Sequence, residues 1–244
     1  MKIACLSRIT TAHGVHGGME RHLDALAHGL MARGHTVSVI TTGLVGGKPH
    51  REYVTHYLPT PSGHYRRAWA VESRRIVRRL HEDRQIDLLW GEGAGAEAVA
   101  RLPRSERPPL ITILHGTFWG EFRTHQRNLQ SPRHLALAAL MIWRFFTWRA
   151  HIQRADHVVT LNRHDTNLLR TYFHRPPEIT IIPNGVDTEQ FAPRLPDFDI
   201  RTTYDIPGEA PLLITVGRLE REKGLHLTIE ALQELRGQNV HLLM

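Results

Sequence analysis

The stretch KIACLSRITTAHGVHGGMERHLDALAHGLMARGHTVSVITT, residues 2–42, decides the fold. It opens on a short apolar run, Lys2–Ser7, which reads as a buried strand. After a loop and the pair Gly17-Gly18, the residues Met19, Leu23, Leu26 and Leu30 recur at helical spacing. Gly34 stops that helix, because a glycine just past the last turn takes the left-handed backbone that ends it. Thr36–Thr42 (TVSVITT) is rich in β-branched residues and reads as the next strand.

The alternation continues outward. Arg66–Arg84 has a helical pattern with Trp69, Ile76 and Leu80 on one side. Asp87–Trp90 and Leu110–His115 are short apolar strands between turn signals. A long helix is predicted over His134–Arg154, then strand His157–Leu161, helix Asp165–Phe173 and strand Ile179–Ile182, ended by Pro183-Asn184-Gly185. Strands alternating with helices predict an α/β fold, a mostly parallel sheet with helices on both faces. Four prolines, Pro193, Pro196, Pro207 and Pro211, then break the pattern. Residues 1–191 are therefore expected to form one domain and 192–210 a linker. Over 211–244 the pattern restarts with strand Leu212–Val216, a helix carrying Leu225, Ile229 and Leu232, and strand Val240–Met244. One strand-helix-strand unit is too small to hold a core by itself. The expectation is a chain that ends near the start of a second domain.

Composition narrows the classes. Among 244 residues, 41% hydrophobic and 23% charged is ordinary globular usage, which excludes collagen-like, coiled-coil and wholly disordered chains. The single cysteine, Cys5, excludes an intrachain disulfide framework. A formal charge of +7 points to an anionic partner. No signal-peptide core follows Met1-Lys2. The longest apolar stretch, Leu135–Trp143, is shorter than the roughly 20 residues a spanning helix needs. The expected location is cytoplasmic.

Three motifs could carry chemistry. Gly17 and Gly18 open a helix beyond the end of a strand, where backbone amides and the helix dipole suit a phosphate; a tight turn needing glycine would look the same. No Gly-x-Gly-x-x-Gly follows that strand, which counts against a nicotinamide enzyme. Gly217-Arg218-Leu219-Glu220-Arg221-Glu222-Lys223-Gly224 offers Arg218 as a fork and Lys223 as a compact charge for phosphate; a solvated charged turn is the plain alternative. His115-Gly116-Thr117 closes a buried strand, and His115 could hydrogen-bond a hydroxyl or share a proton. With 18 histidines in the chain, a satisfied histidine near the core is equally open.

Taken in order, Gly17-Gly18-Met19-Glu20-Arg21, His115-Gly116, Ala155-Asp156-His157-Val158-Val159-Thr160, Ile182-Pro183-Asn184-Gly185-Val186-Asp187 and Gly217-Arg218…Glu222-Lys223-Gly224 resemble glycosyltransferase family 4. The resemblance implies a GT-B fold, two Rossmann-like domains around a cleft, the second truncated here. It implies transfer of a hexose or related sugar from a nucleotide-sugar donor, with retention, to an acceptor sugar, lipid-linked sugar or small molecule, in cell-envelope glycan synthesis. By the same resemblance Arg218 and Lys223 hold the donor diphosphate, Gly17 and Gly18 approach it, and His115 contacts the transferred sugar as the catalytic residue. Neither a metal nor a cofactor is implied. The family's paired glutamates late in the second domain have no counterpart in the chain, so little or no turnover is expected of it alone. A nucleotide-sugar epimerase of the same fold is the alternative, as is a non-catalytic basic module.

Weaker signals are weighed against bland readings. Arg66, Arg67, Arg74, Arg75, Arg78, Arg79 and Arg84 crowd one helical segment; a solvated face is favoured over contact with anionic membrane. The arginines accompany no recognised nucleic-acid motif, so nucleic acid is not expected as a partner. Asp197-Phe198-Asp199 matches a manganese Asp-x-Asp pattern but sits between prolines and reads as chance. Asp24 beside His28 reads as surface.

Overall fold

The computed structural model describes residues 1–15, 17–44, 46, 49, 52–61, 67–116, 145–173, 176–193, 198–217, 219 and 223–244, with backbone alone at 60–61. The chain divides into two compact units, Met1–Gly185 and Val186–Met244.

In the first unit, strands β1 (Lys2–Leu6), β2 (Thr36–Gly43), β3 (Val54–Pro61), β4 (Leu88–Glu92), β5 (Leu110–Leu114), β6 (His157–Thr160) and β7 (Ile179–Ile181) form one parallel sheet. Their order is β3-β2-β1-β4-β5-β6-β7. The chain runs outward from β1 to β3, then returns to place β4 on the other side of β1. The reversal between β1 and β4 marks the crevice where open α/β sheets take ligands. This is the α/β, Rossmann-like architecture that the alternating pattern predicts.

Alternation along each strand distributes the core. Ile3 and Cys5 of β1 face helix α1 (Gly18–Ala32) and pack with Leu23 and Ala27. Ala4 and Leu6 face helix α2 (Arg67–Glu82) and pack with Trp69, Val77 and Leu80. Both faces of β1 are thus buried, which is why its sequence is continuously apolar. Burying each large aliphatic side chain contributes about 1.5–3 kcal/mol before entropy is subtracted. A third cluster joins Leu114 and Val158 to Ile152, in helix α3 (residues 145–154), and to Leu169 of helix α4 (Arg163–Tyr172).

The strands and helices read from periodicity lie within two residues of their observed bounds wherever those ends are described. Gly34 takes φ +82° and donates to Met31 O, while His35 donates to Leu30 O, closing α1 as expected. Strand β3, which carries Pro59 and Pro61, is absent from the sequence reading. It lies at the sheet edge, where a missing N–H is tolerated. Residues 134–144 of the expected long helix lie outside the described residues.

In the second unit, strands β8 (Leu212–Ile214) and β9 (His241–Leu243) pair in parallel around helix α6 (Leu225–Ala231). Residues 192–210, expected as linker, fall in this unit and include the single turn α5 (Ile200–Thr203). Leu213, Ile214 and Val216 are exposed, Val216 at 93%.

Candidate functional site

Three segments meet at the C-terminal edge of the first unit's sheet. β4 ends on Glu92, His115 follows β5 directly, and His22 stands in the second turn of α1. Glu92 is fully buried. Trp90 Nε1 donates to its Oε1 at 2.8 Å, and His115 Nε2 lies 2.5 Å from Oε2. His22 Nδ1 approaches Oε1 at 3.4 Å, within ion-pair reach but without hydrogen-bond geometry. The two imidazoles meet edge to face, 4.8 Å between centroids at 78°. Burial pushes the Glu92 carboxyl up, but His115's hydrogen bond and the neighbouring His22 outweigh it and hold the group below the ordinary glutamate value. Beneath the cluster, burial and then the charges of Glu92 and Asp24 push the Cys5 thiol well up, so it is an inert core group.

Among the described residues, His22, Glu92 and His115 also form the group that could hold a cation, their ligand atoms lying within 4.8 Å of one another. Two ligands of a tetrahedral zinc, each ~2.0–2.1 Å from the ion, stand roughly 3.3 Å apart. His115 Nε2 and Glu92 Oε2 stand closer than that, in direct hydrogen-bond contact with each other. The arrangement is a carboxylate–imidazole pair braced by a second imidazole.

Gly17 is the N-cap of α1 and Gly18 its first residue. A Cβ on Gly18 would meet nothing within 4 Å, leaving its backbone open to approach. A Cβ on Gly17 would stand 2.5 Å from Glu20 Oε2, because the buried Glu20 side chain folds back against the helix start. A carboxylate there already complements the helix dipole. Gly17, Gly18 and His115 thus share one sheet edge in the first unit. In the second unit Lys223 is exposed, on the loop that leaves β8, and is followed by Gly224 at φ +70°, the N-cap of α6. Arg218 lies outside the described residues.

Sequence reasoning passed over Glu92 and Glu20 and left His22 without a role. Glu92 carried a signal: a carboxylate ending an apolar strand, between Gly91 and Gly93, at the sheet edge where ligands bind. Gly91 is required there, since a Cβ on it would lie 2.3 Å from Ala96 Cβ in the turn that follows β4.

Other polar side chains have structural partners. Asp24 accepts from Thr11 Oγ1 at 2.7 Å and Tyr53 OH at 2.6 Å, holding the loop before α1. His13 bonds Thr10 and Thr42. Asp156 pairs with Arg107 and Arg104. Asp199 caps α5 through Arg201 N and Thr202 N, which gives the Asp-x-Asp match a local use; Asp197 lies outside the described residues. In the arginine-rich α2, Arg74 bonds Ala98 O and Arg78 pairs with Glu106, while Arg67, Arg75 and Arg79 are exposed. The cationic face is thus smaller than the residue count suggests. Arg66 and the apolar stretch Leu135–Trp143 lie outside the described residues, and no helix among those described is long and apolar enough to cross a membrane.

Residues 16–190 match the family model described as Glycosyltransferase Family 4. The chain is 27% identical over 234 residues to the GDP-mannose-dependent alpha-(1-6)-phosphatidylinositol monomannoside mannosyltransferase of Mycolicibacterium smegmatis, covering 90% of this chain and 54% of that protein. The fold is similar to WaaG, a glycosyltransferase involved in lipopolysaccharide biosynthesis (TM-score 0.64, 20% identity, covering 98% of this chain and 62% of that one). It is also similar to Anabaena Alr3699/HepE in complex with UDP-glucose (TM-score 0.65, 18% identity, covering 99% and 59%). The chain spans about half the length of the curated relative it matches.

Proposed function

This chain belongs to glycosyltransferase family 4, and from that premise we propose that the protein transfers a hexose or related sugar from a nucleotide-sugar donor to an acceptor, with retention. The observation that carries the reading is the shared sheet edge of Gly17, Gly18 and His115, where the strand order reverses. Gly17 and Gly18 offer backbone amides to the donor diphosphate, and Arg218 and Lys223 are the cations that the family resemblance assigns to it. Neutralising that diphosphate stabilises the leaving group as the glycosidic bond breaks. His115 contacts the transferred sugar. The leaving phosphate helps to deprotonate the acceptor, so no protein nucleophile, metal or cofactor enters the scheme.

Glu20 adds a condition. Its carboxylate lies against Gly17, so a diphosphate approaching the helix start must meet it or displace it. The relatives' names supply the probes. One uses GDP-mannose and acts on a phosphatidylinositol mannoside, and another is seen with UDP-glucose. A lipid-linked acceptor at the cytoplasmic membrane face is the corresponding proposal here, with Arg67, Arg75 and Arg79 as exposed cations near an anionic surface.

Calorimetric titration of the 244-residue chain with GDP-mannose and UDP-glucose tests the donor assignment. Binding of one nucleotide sugar, weakened about tenfold or more by Lys223→Glu, is the expected result. Failure of every nucleotide sugar in a broad panel to bind would overturn it.

A further inference from the structure

We infer that Glu92 is a positioning residue for His115: it holds the imidazole proton on Nε2 and leaves Nδ1 as the nitrogen that accepts from a hydroxyl of the bound sugar. The inference rests on the sugar-transfer reading given above.

The chemistry of the pair fixes the proton. An ionised carboxylate has only acceptors, so the 2.5 Å contact to Glu92 Oε2 requires Nε2 of His115 to donate. The neutral ring is then the Nε2–H tautomer, with its lone pair on Nδ1. Among the described residues Nδ1 has no hydrogen-bond partner, and the side chain keeps 17% of its surface exposed. It is the atom available to a ligand at this edge.

The surroundings keep the pair in place. Glu92 cannot rotate without breaking the Trp90 hydrogen bond to its other oxygen. His22 lies edge-on to the His115 ring and close to the same carboxylate, restricting the ring from the α1 side. A glutamine at 92 could still accept from Trp90, but its amide can also donate, so it would not dictate which His115 nitrogen carries the proton. Only the carboxylate does that, at the cost of burying a charge. The same logic orients imidazoles in hydrolase triads, where an amide in place of the carboxylate keeps the geometry and yields the wrong tautomer. Here the outcome is a directed acceptor hydrogen bond, and no covalent step is involved.

The test is long-range proton–nitrogen spectroscopy on the full 244-residue chain, isotopically labelled at the histidine nitrogens. His115→Asn and His22→Asn assign the two rings. In its neutral form, His115 is expected as a single Nε2–H tautomer. Glu92→Gln is expected to fold, with a somewhat lower melting temperature, and to lose that single-tautomer signature. A wild-type ring protonated on Nδ1, or a folded Glu92→Gln protein with an unaltered tautomer, overturns the inference. Should Glu92→Gln not fold, the wild-type spectrum decides alone. UDP-glucose and GDP-mannose are then titrated in. Movement of the His115 nitrogens supports the sugar contact, whereas the expected tautomer with no response to either donor overturns that contact and leaves the pairing intact.

Discussion

Replacing Asp156 with alanine should destabilise the first unit more than any comparable change at the surface. Asp156 precedes β6, and its Oδ2 accepts from Arg107 Nη1 at 2.6 Å and from the Leu110 amide, at the start of β5, at 3.0 Å. Its Oδ1 meets Arg104 Nη2 at 2.7 Å. Arg104 is 80% exposed, so its share is about 0–1 kcal/mol. Arg107 is only 2% exposed in its side chain, and stripping one partner from a buried pair costs ~3–5 kcal/mol. Arg107 keeps the Pro108 and Arg154 carbonyls, each at 3.0 Å, and Asp156 is itself 22% exposed. A discounted loss of about 2–4 kcal/mol follows. Urea unfolding followed by circular dichroism reads it as a lower midpoint at unchanged slope. Asp156→Asn keeps an oxygen for the Leu110 amide and should lose roughly half as much. The acid dependence has a definite sign. Burial raises the Asp156 carboxyl, but Arg107's hydrogen bond, the Leu110 amide and the two arginine charges hold it below the ordinary aspartate value. Its contribution is therefore present above the unfolded value, ~3.9, and fades as pH falls through the lower folded one. A loss under ~0.5 kcal/mol at neutral pH, the range of ordinary surface changes, would refute the reasoning.

Three further outcomes are expected. His151 is fully buried against Thr112, and burial, then Arg101, lowers its pKa to about 4. As pH drops below ~6.5 the unfolded chain gains a proton the folded chain refuses, so stability should fall by up to about 3 kcal/mol and level off near pH 4; His151→Gln should flatten that part of the denaturation profile. Gly91→Ala should cost ~1–3 kcal/mol by overpacking against Ala96, and nuclear resonance should show the His115 signal displaced with it. Gly17→Ala meets only the movable end of Glu20, so its melting temperature should stay close to wild type while calorimetric affinity for the nucleotide sugar drops.

Much of this was legible in the residues. β-Branched runs and the period of α1 placed the strands and helices, because both faces of β1 and one face of each helix are buried. Strand β3, absent from that reading, carries prolines that only its edge position makes harmless. His115 was legible as the residue ending an apolar strand. Glu92 was not singled out, since its partners come from residues 22 and 115, and no local spacing reports a contact between segments so far apart. The same separation hid Asp156, which looked like part of a motif and serves as the bond between β5, β6 and Arg107.

The His22–Glu92–His115 cluster draws one member from each of three separate stretches, so none of those stretches can assemble it in isolation. It comes into being only once β1, β4 and β5 are in register. A collapsed intermediate with its helices formed and its strands unpaired would look native by far-ultraviolet dichroism and still lack the imidazole pair. The ring nitrogens of His115 therefore double as a reporter of sheet completion.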